Sequence, residues 1–234
     1  MQLFYDENLT KESKTHVIGI EESNHILRVL RKSVGDKIYL TNGKGYGFTT
    51  EIIGIKSKKC EISILDTFFE EPLPYQLNIA IAPPKSSDRF EFFLEKATEI
   101  GITEITPLLC ANSERKRLNL KRSFKIIQSA MKQSQRLHLP KLNEMISFEQ
   151  FISTDFANTK KVIAHCEDKE KISVKDILNQ STNICGLIGP EGDFSSSEIN
   201  MALDNGFQAV SLGEKRLRTE TAGLYLCQAI AFNV

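Results

Sequence analysis

From residue 77 onward the chain alternates strand-length apolar runs with amphipathic stretches, an order that few folds accommodate. Residues 77–82 (LNIAIA), 102–109, 161–165, 183–188 and 209–212 have the length and the apolar content of buried strands. Between them, 88–100, 120–135, 174–178, 196–205 and 220–231 read as helices. Asp88 and Glu91 stand in capping-box spacing, Gly101 is a helix stop, and Ser195 and Glu198 form an S-x-x-E start. Leu120, Phe124, Ile127 and Met131 recur on one helical face, with positive charge opposite. This alternation predicts an α/β fold with a mainly parallel sheet covered by helices. Ligands of such sheets bind at the carboxyl ends of the strands.

The first 70 residues differ. Residues 36–40, 48–55 and 60–65 are β-branched and apolar runs separated by turn-rich NGKGYG and a lysine cluster, the pattern of a small antiparallel sheet or barrel. One helix, 22–31, interrupts it, offering Ile26, Leu27, Val29 and Leu30 for burial and setting Arg28 and Arg31 three apart on one helix surface. The prolines of EEPLP at 70–74 mark a boundary. We therefore expect two domains, 1–70 and 75–234, which suits 234 residues.

No stretch approaches the roughly 20 apolar residues of a membrane span, and the N-terminus lacks a charged region followed by an apolar one, so a cytoplasmic protein with no membrane partner is expected. Five single cysteines without a C-x-x-C pair, and four dispersed histidines, predict buried reduced thiols and no metal site.

Zero net charge hides a local asymmetry. Between residues 112 and 141 nine Lys or Arg face one acid, Glu114, a local net of +8. Such a block, with few acids at i, i+4, is an electrostatic footprint for phosphates. Two loops near the C-terminus also attract notice. GPEGDF (189–194) joins a strand to the Ser195 helix start; it lacks the spacing of a dinucleotide or P-loop turn, and an ordinary glycine turn is one reading of it. LGEKRLRTETAG (212–223) crowds Lys215, Arg216 and Arg218 after Gly213, which suits an anionic partner, while Thr219 and Glu220 could simply cap the last helix.

Together GPEG, the S-x-x-E start and LG-x-x-x-LRTETA resemble the 16S ribosomal RNA uracil-N3 methyltransferases of the SPOUT class. The resemblance extends to 25–43, to KATEIGITEITP (96–107) and to 133–140. Asp193, where that family commonly has glycine, and Glu214 or Lys215, where it commonly has proline, depart from the pattern. The resemblance implies a knotted (trefoil) C-terminal methyltransferase domain behind a PUA-like RNA-binding β-barrel, acting as a homodimer on 16S ribosomal RNA of the assembled small subunit. S-adenosylmethionine would sit among the loops following 163–165, 187–188 and 210–212, held by Leu187, Gly189, Glu191, Gly192, Leu212, Gly213, Leu217 and Arg218. Arg218 would stabilise the charge that develops on uracil as N3 loses its proton, with Glu220 and Glu191 as candidate bases, Glu220 weakened by its helix-start position and Glu191 alternatively bracing its loop. Arg28, Arg31, Lys32, Arg115, Lys121, Arg122, Lys125, Lys132 and Arg136 would grip RNA phosphates, which orient without reading sequence. Two rivals keep the fold: methylation of another RNA or of a ribose 2′-hydroxyl, and an RNA-binding protein without transfer activity.

Overall fold

The computed structural model describes residues 2–174, 176 and 183–232. Most of the helix expected over 174–178 lies outside the described residues. The chain divides into two compact units, 1–72 with 128–139, and 73–127 with 140–234.

In the first unit β1 (Leu3–Tyr5), β2 (Thr15–Val17), β3 (Lys37–Thr41), β4 (Tyr46–Lys56) and β5 (Lys59–Phe69) form one sheet in the order β1-β3-β4-β5-β2. Only the β1–β3 pairing is parallel. The inward residues of the alternating strands, among them Phe4, Ile38, Leu40, Phe48, Ile52 and Ile62, make the core. The single helix expected over 22–31 is instead α1 (Ile20–Asn24) running into a π-helical turn, His25–Val29. Arg31 then takes a left-handed backbone, φ 56°, so it shares no helix face with Arg28. Residues 128–139, which the sequence boundary assigns to the second domain, group with this unit: Gly45 N–H donates to Leu137 O at 2.9 Å and Leu139 N–H to Gly43 O at 2.9 Å.

Among the described residues the second unit is built on eight strands. They are β6 (Gln76–Ile81), β7 (Glu104–Leu109), β8 (Lys141–Leu142), β9 (Ile146–Ser147), β10 (Lys160–Ala164), β11 (Ile172–Ser173), β12 (Asn183–Ile188) and β13 (Gln208–Ser211). The order is β11-β13-β10-β12-β6-β7-β8, with β9 beside β7. Every pairing is parallel, as the alternation predicts. Among the described residues the helices are α2 (Ser87–Ile100), α3 (Leu120–Gln133), α4 (Phe148–Ile152), α5 (Ser196–Asp204) and α6 (Thr219–Phe232). α3 crosses from the second unit into the segment grouped with the first. α6 packs on α2, β6 and β12. That packing demands small residues: Gly223 meets the Phe93 ring, where an added Cβ would come within 2.6 Å.

Two expected caps differ. α2 has Ser86 at its N-cap without a side-chain bond, and Glu91 is instead drawn to Arg122, with 2.6 Å between Oε1 and Nε. Thr219 does not cap α6; its hydroxyl donates to Gly189 O at 3.0 Å, tying the start of α6 to the end of β12. At α5 both halves of the Ser195–Glu198 capping box form. No described helix is long and apolar enough to cross a membrane.

Candidate active site

Because β10, β12 and β13 are parallel neighbours, their carboxyl ends deliver three loops to one edge of the sheet. The loops enclose a cleft of about 860 Å³ whose wall includes His165, Gly189, Glu191, Gly192, Leu212, Gly213, Leu217 and Arg218. Of the residues expected around a cofactor, Leu187 alone stays off the wall; its side chain is fully buried in the core beside Ala80, Leu108 and Phe194. Gly189 packs its backbone under Phe194, where a Cβ would lie 3.1 Å from the ring, and Gly213 requires φ 131°.

The wall carries Glu167, Glu191, Asp193 and Glu214 against Lys171, Lys215, Arg216 and Arg218. Four acids offset four bases, so the cationic loop lines a balanced cavity, better matched to a zwitterionic ligand than to a polyanion.

The loop after β12 is held from several sides. Glu191 Oε1 accepts from Lys85 N at 3.0 Å, which makes Glu191 a brace toward the loop after β6 as well as a wall residue. Asn112 Nδ2 donates to Gly192 O at 3.2 Å and to Asp193 O at 3.1 Å. Asp193, with φ 63°, accepts from Cys166 N at 2.7 Å through Oδ2 and from Phe194 N at 2.8 Å through Oδ1. Glu198 is 3% exposed; it accepts from Ala111 N at 2.8 Å and from Ser195 N at 2.8 Å. Charge-assisted bonds of this kind contribute about 1.5–3 kcal/mol each, so losing both in Glu198→Ala should cost about 3–6 kcal/mol in urea unfolding, and a loss below about 0.5 kcal/mol would mean water replaces it.

Glu220 does not line the cleft. It is buried at the start of α6 with Oε1 3.9 Å from Arg89 Nε, which turns the candidate base toward α2. Arg218 is exposed on the wall, and its carbonyl accepts from Ala222 N at 2.8 Å. The remaining cysteines are buried, but Cys166 is exposed on the cleft wall, contrary to the expectation of five buried thiols. Burial pushes the Cys185 thiol up to about 12. Among the described residues no cluster of His, Cys, Asp and Glu could hold a metal ion.

The basic segment is less free than its composition suggests. Arg122 pairs with Glu91, Lys132 Nζ lies 2.6 Å from Glu22, Lys141 Nζ lies 3.0 Å from Glu104, and Arg115 donates to the carbonyls of Pro84 and Lys85. Lys32 sits 3.7 Å from Asp36. Lys125 and Arg136 also have partners. Arg28, Arg31 and Lys121 are exposed.

Residues 71–231 match the RNA methyltransferase domain model and residues 17–65 the RNA methyltransferase PUA domain model. The class is therefore an RNA methyltransferase that joins a PUA domain to a methyltransferase domain. The solved structure of a probable rRNA-methyltransferase from Porphyromonas gingivalis is 38% identical, with 97% and 96% of the two chains covered and a TM-score of 0.87. Ribosomal RNA small subunit methyltransferase E from Neisseria gonorrhoeae, solved bound to S-adenosyl methionine, is 30% identical over 98% and 96% of the chains, with a TM-score of 0.86. The Bacillus subtilis enzyme of the same name is 29% identical over 99% of this chain and 96% of its own. The chain belongs to the ribosomal RNA small subunit methyltransferase E family.

Proposed function

We propose that this protein transfers a methyl group from S-adenosylmethionine to N3 of one uridine in 16S ribosomal RNA, within the small subunit. The observation that carries the reading is the charge-balanced cleft formed by the loops after β10, β12 and β13, in a chain of this family. The cavity suits the cofactor in two respects. Gly189, Gly192 and Gly213 bare the backbone along its wall, and the mixed charges match a ligand with a sulfonium, an ammonium and a carboxylate.

When bound, S-adenosylmethionine would supply an activated methyl group: its S–CH3 bond would break as the bond to N3 forms, S-adenosylhomocysteine would leave, and the N3 proton would pass to solvent water. Arg218 would face the uracil oxygen on which negative charge develops and pair with it. Glu191, already accepting from Lys85 N, would hold the GPEG loop against the cofactor, and Glu220 would steady the start of α6 through Arg89. Arg28, Arg31 and Lys121 would supply phosphate contacts. The homodimer is supported by Phe92 on α2 and Tyr225 on α6, which stay 48% and 41% exposed on two helices that pack together. Return of the last segment onto the end of β12, through Thr219 and Gly189, is in keeping with a trefoil knot. A cytoplasmic location follows from a ribosomal substrate.

Nucleoside mapping of 16S ribosomal RNA from cells lacking the gene should show one N3-methyluridine missing. Intact N3 methylation would overturn the substrate; loss of a ribose methyl group instead would place the reaction at a 2′-hydroxyl.

A further inference from the structure

His165 ends the run out of β10 and lines the cleft at 7% exposure, yet among the described residues neither Nδ1 nor Nε2 has a hydrogen-bond partner. Buried polar side chains are nearly always paired, so a ring left wholly unpaired in a ligand cavity calls for an explanation. The ring is not loose for want of support. Cys166, the next residue, gives its N–H to Asp193 Oδ2 at 2.7 Å, and Asp193 is anchored in turn through Phe194 N and Asn112. The backbone beside His165 is thus clamped to the loop after β12 while the imidazole is left unengaged.

The charged groups acting on the ring are Lys171 and Lys169, opposed by Asp193 and Glu167. Burial first, and Lys171 next, hold its pKa below the usual 6.5. The ring is therefore neutral at pH 7, with one N–H to donate and one lone pair to accept. A neutral donor and acceptor suits a cationic ligand, which an imidazolium would repel.

We infer that His165 is a cofactor-binding side chain: its imidazole makes its hydrogen bonds to bound S-adenosylmethionine, and Asp193 is the positioning residue that clamps the loop for that contact. The inference rests on the cofactor reading above. It separates two properties that a packing residue would couple. Replacing the ring with an apolar one of similar size removes an unpaired polar group from the free protein, which is neutral or stabilising, and removes the contact from the complex.

Calorimetry with S-adenosylmethionine, paired with thermal melts of the unliganded full-length protein, tests it. His165→Phe should raise Kd roughly tenfold, about 1.4 kcal/mol, with Tm unchanged or higher. His165→Gln, which keeps a donor and an acceptor, should recover part of the affinity. Asp193→Ala should weaken binding too, and the double variant should bind no worse than the weaker single one, because both act on one contact. Wild-type affinity should fall as pH drops below the ordinary histidine range, where the ring charges, since its pKa is held low by burial and Lys171; His165→Phe should not follow. Wild-type binding that His165→Phe leaves unchanged overturns the contact alone, as does a variant whose affinity and Tm fall together, the mark of a packing role. A wild-type protein that binds no cofactor overturns the cofactor reading and this inference with it.

Discussion

Arg218→Ala should lower the rate of methyl transfer by about 10²–10³-fold, the usual cost of removing one donor to a developing oxyanion, while leaving the fold in place and lowering cofactor affinity by a smaller factor than rate. Arg218 is exposed on the cleft wall, and the bond to its carbonyl from Ala222 N, at 2.8 Å, is backbone and survives the substitution. In the reaction proposed above its guanidinium would act where charge appears only as N3 loses its proton, so the loss should fall on kcat and leave the KM for RNA nearly unchanged. Arg218→Lys keeps the charge without the bidentate fork and should lie between. Glu220→Gln is the control: with its carboxylate toward Arg89, it should disturb the helix start more than the chemistry. Single-turnover transfer of labelled methyl to small-subunit RNA, run beside cofactor calorimetry, separates the cases. If Arg218→Ala loses cofactor affinity by the same factor as rate, Arg218 belongs to cofactor binding rather than to the methyl-transfer step.

What the sequence made legible followed from how local each feature is. Ser195 and Glu198 are three residues apart, and their box forms as the spacing predicts. The parallel sheet follows from strand and helix periods read over whole segments, and the cleft follows because parallel strands place their loops at one edge. Where a distant group competes, local spacing misleads. Glu91 leaves its expected cap for Arg122, and the acids that neutralise the basic segment are Glu22, Glu91 and Glu104, outside any i, i+4 window. The Arg31 conformation belongs to the same class, since a left-handed arginine has no pattern to announce it. Asp193 was visible as a departure from glycine, but that its carboxylate would reach Cys166 N depends on the adjacency of β10 and β12, and so does the seclusion of His165.

Gly186→Val should be strongly destabilising even though valine is among the best strand formers. Gly186 lies in β12 between Val162 of β10 and Ile79 of β6, in the interior of the sheet. A Cβ there runs into Leu226 Cδ2 of α6 and lies 3.2 Å from Ile79 Cδ1. Strand propensity spans only about 1 kcal/mol, whereas overpacking a filled core costs typically about 1–3 kcal/mol and sometimes more; packing therefore wins. Leu226 is 1% exposed and cannot swing into solvent. Leu226→Ala alone should also lose stability, by about 2–5 kcal/mol, through the cavity it leaves. The two substitutions together should cost well under their sum, because the valine fills part of the space the leucine vacates. Urea unfolding of the four proteins measures that coupling, and additive losses would show that Leu226 is not what excludes a side chain at 186. The cleft registers the same strain. Thr219 at the start of α6 holds Gly189 O at 3.0 Å, so a valine that pushes α6 off β12 pulls on the loop three residues beyond it, and cofactor affinity should fall in Gly186→Val and return in the double variant.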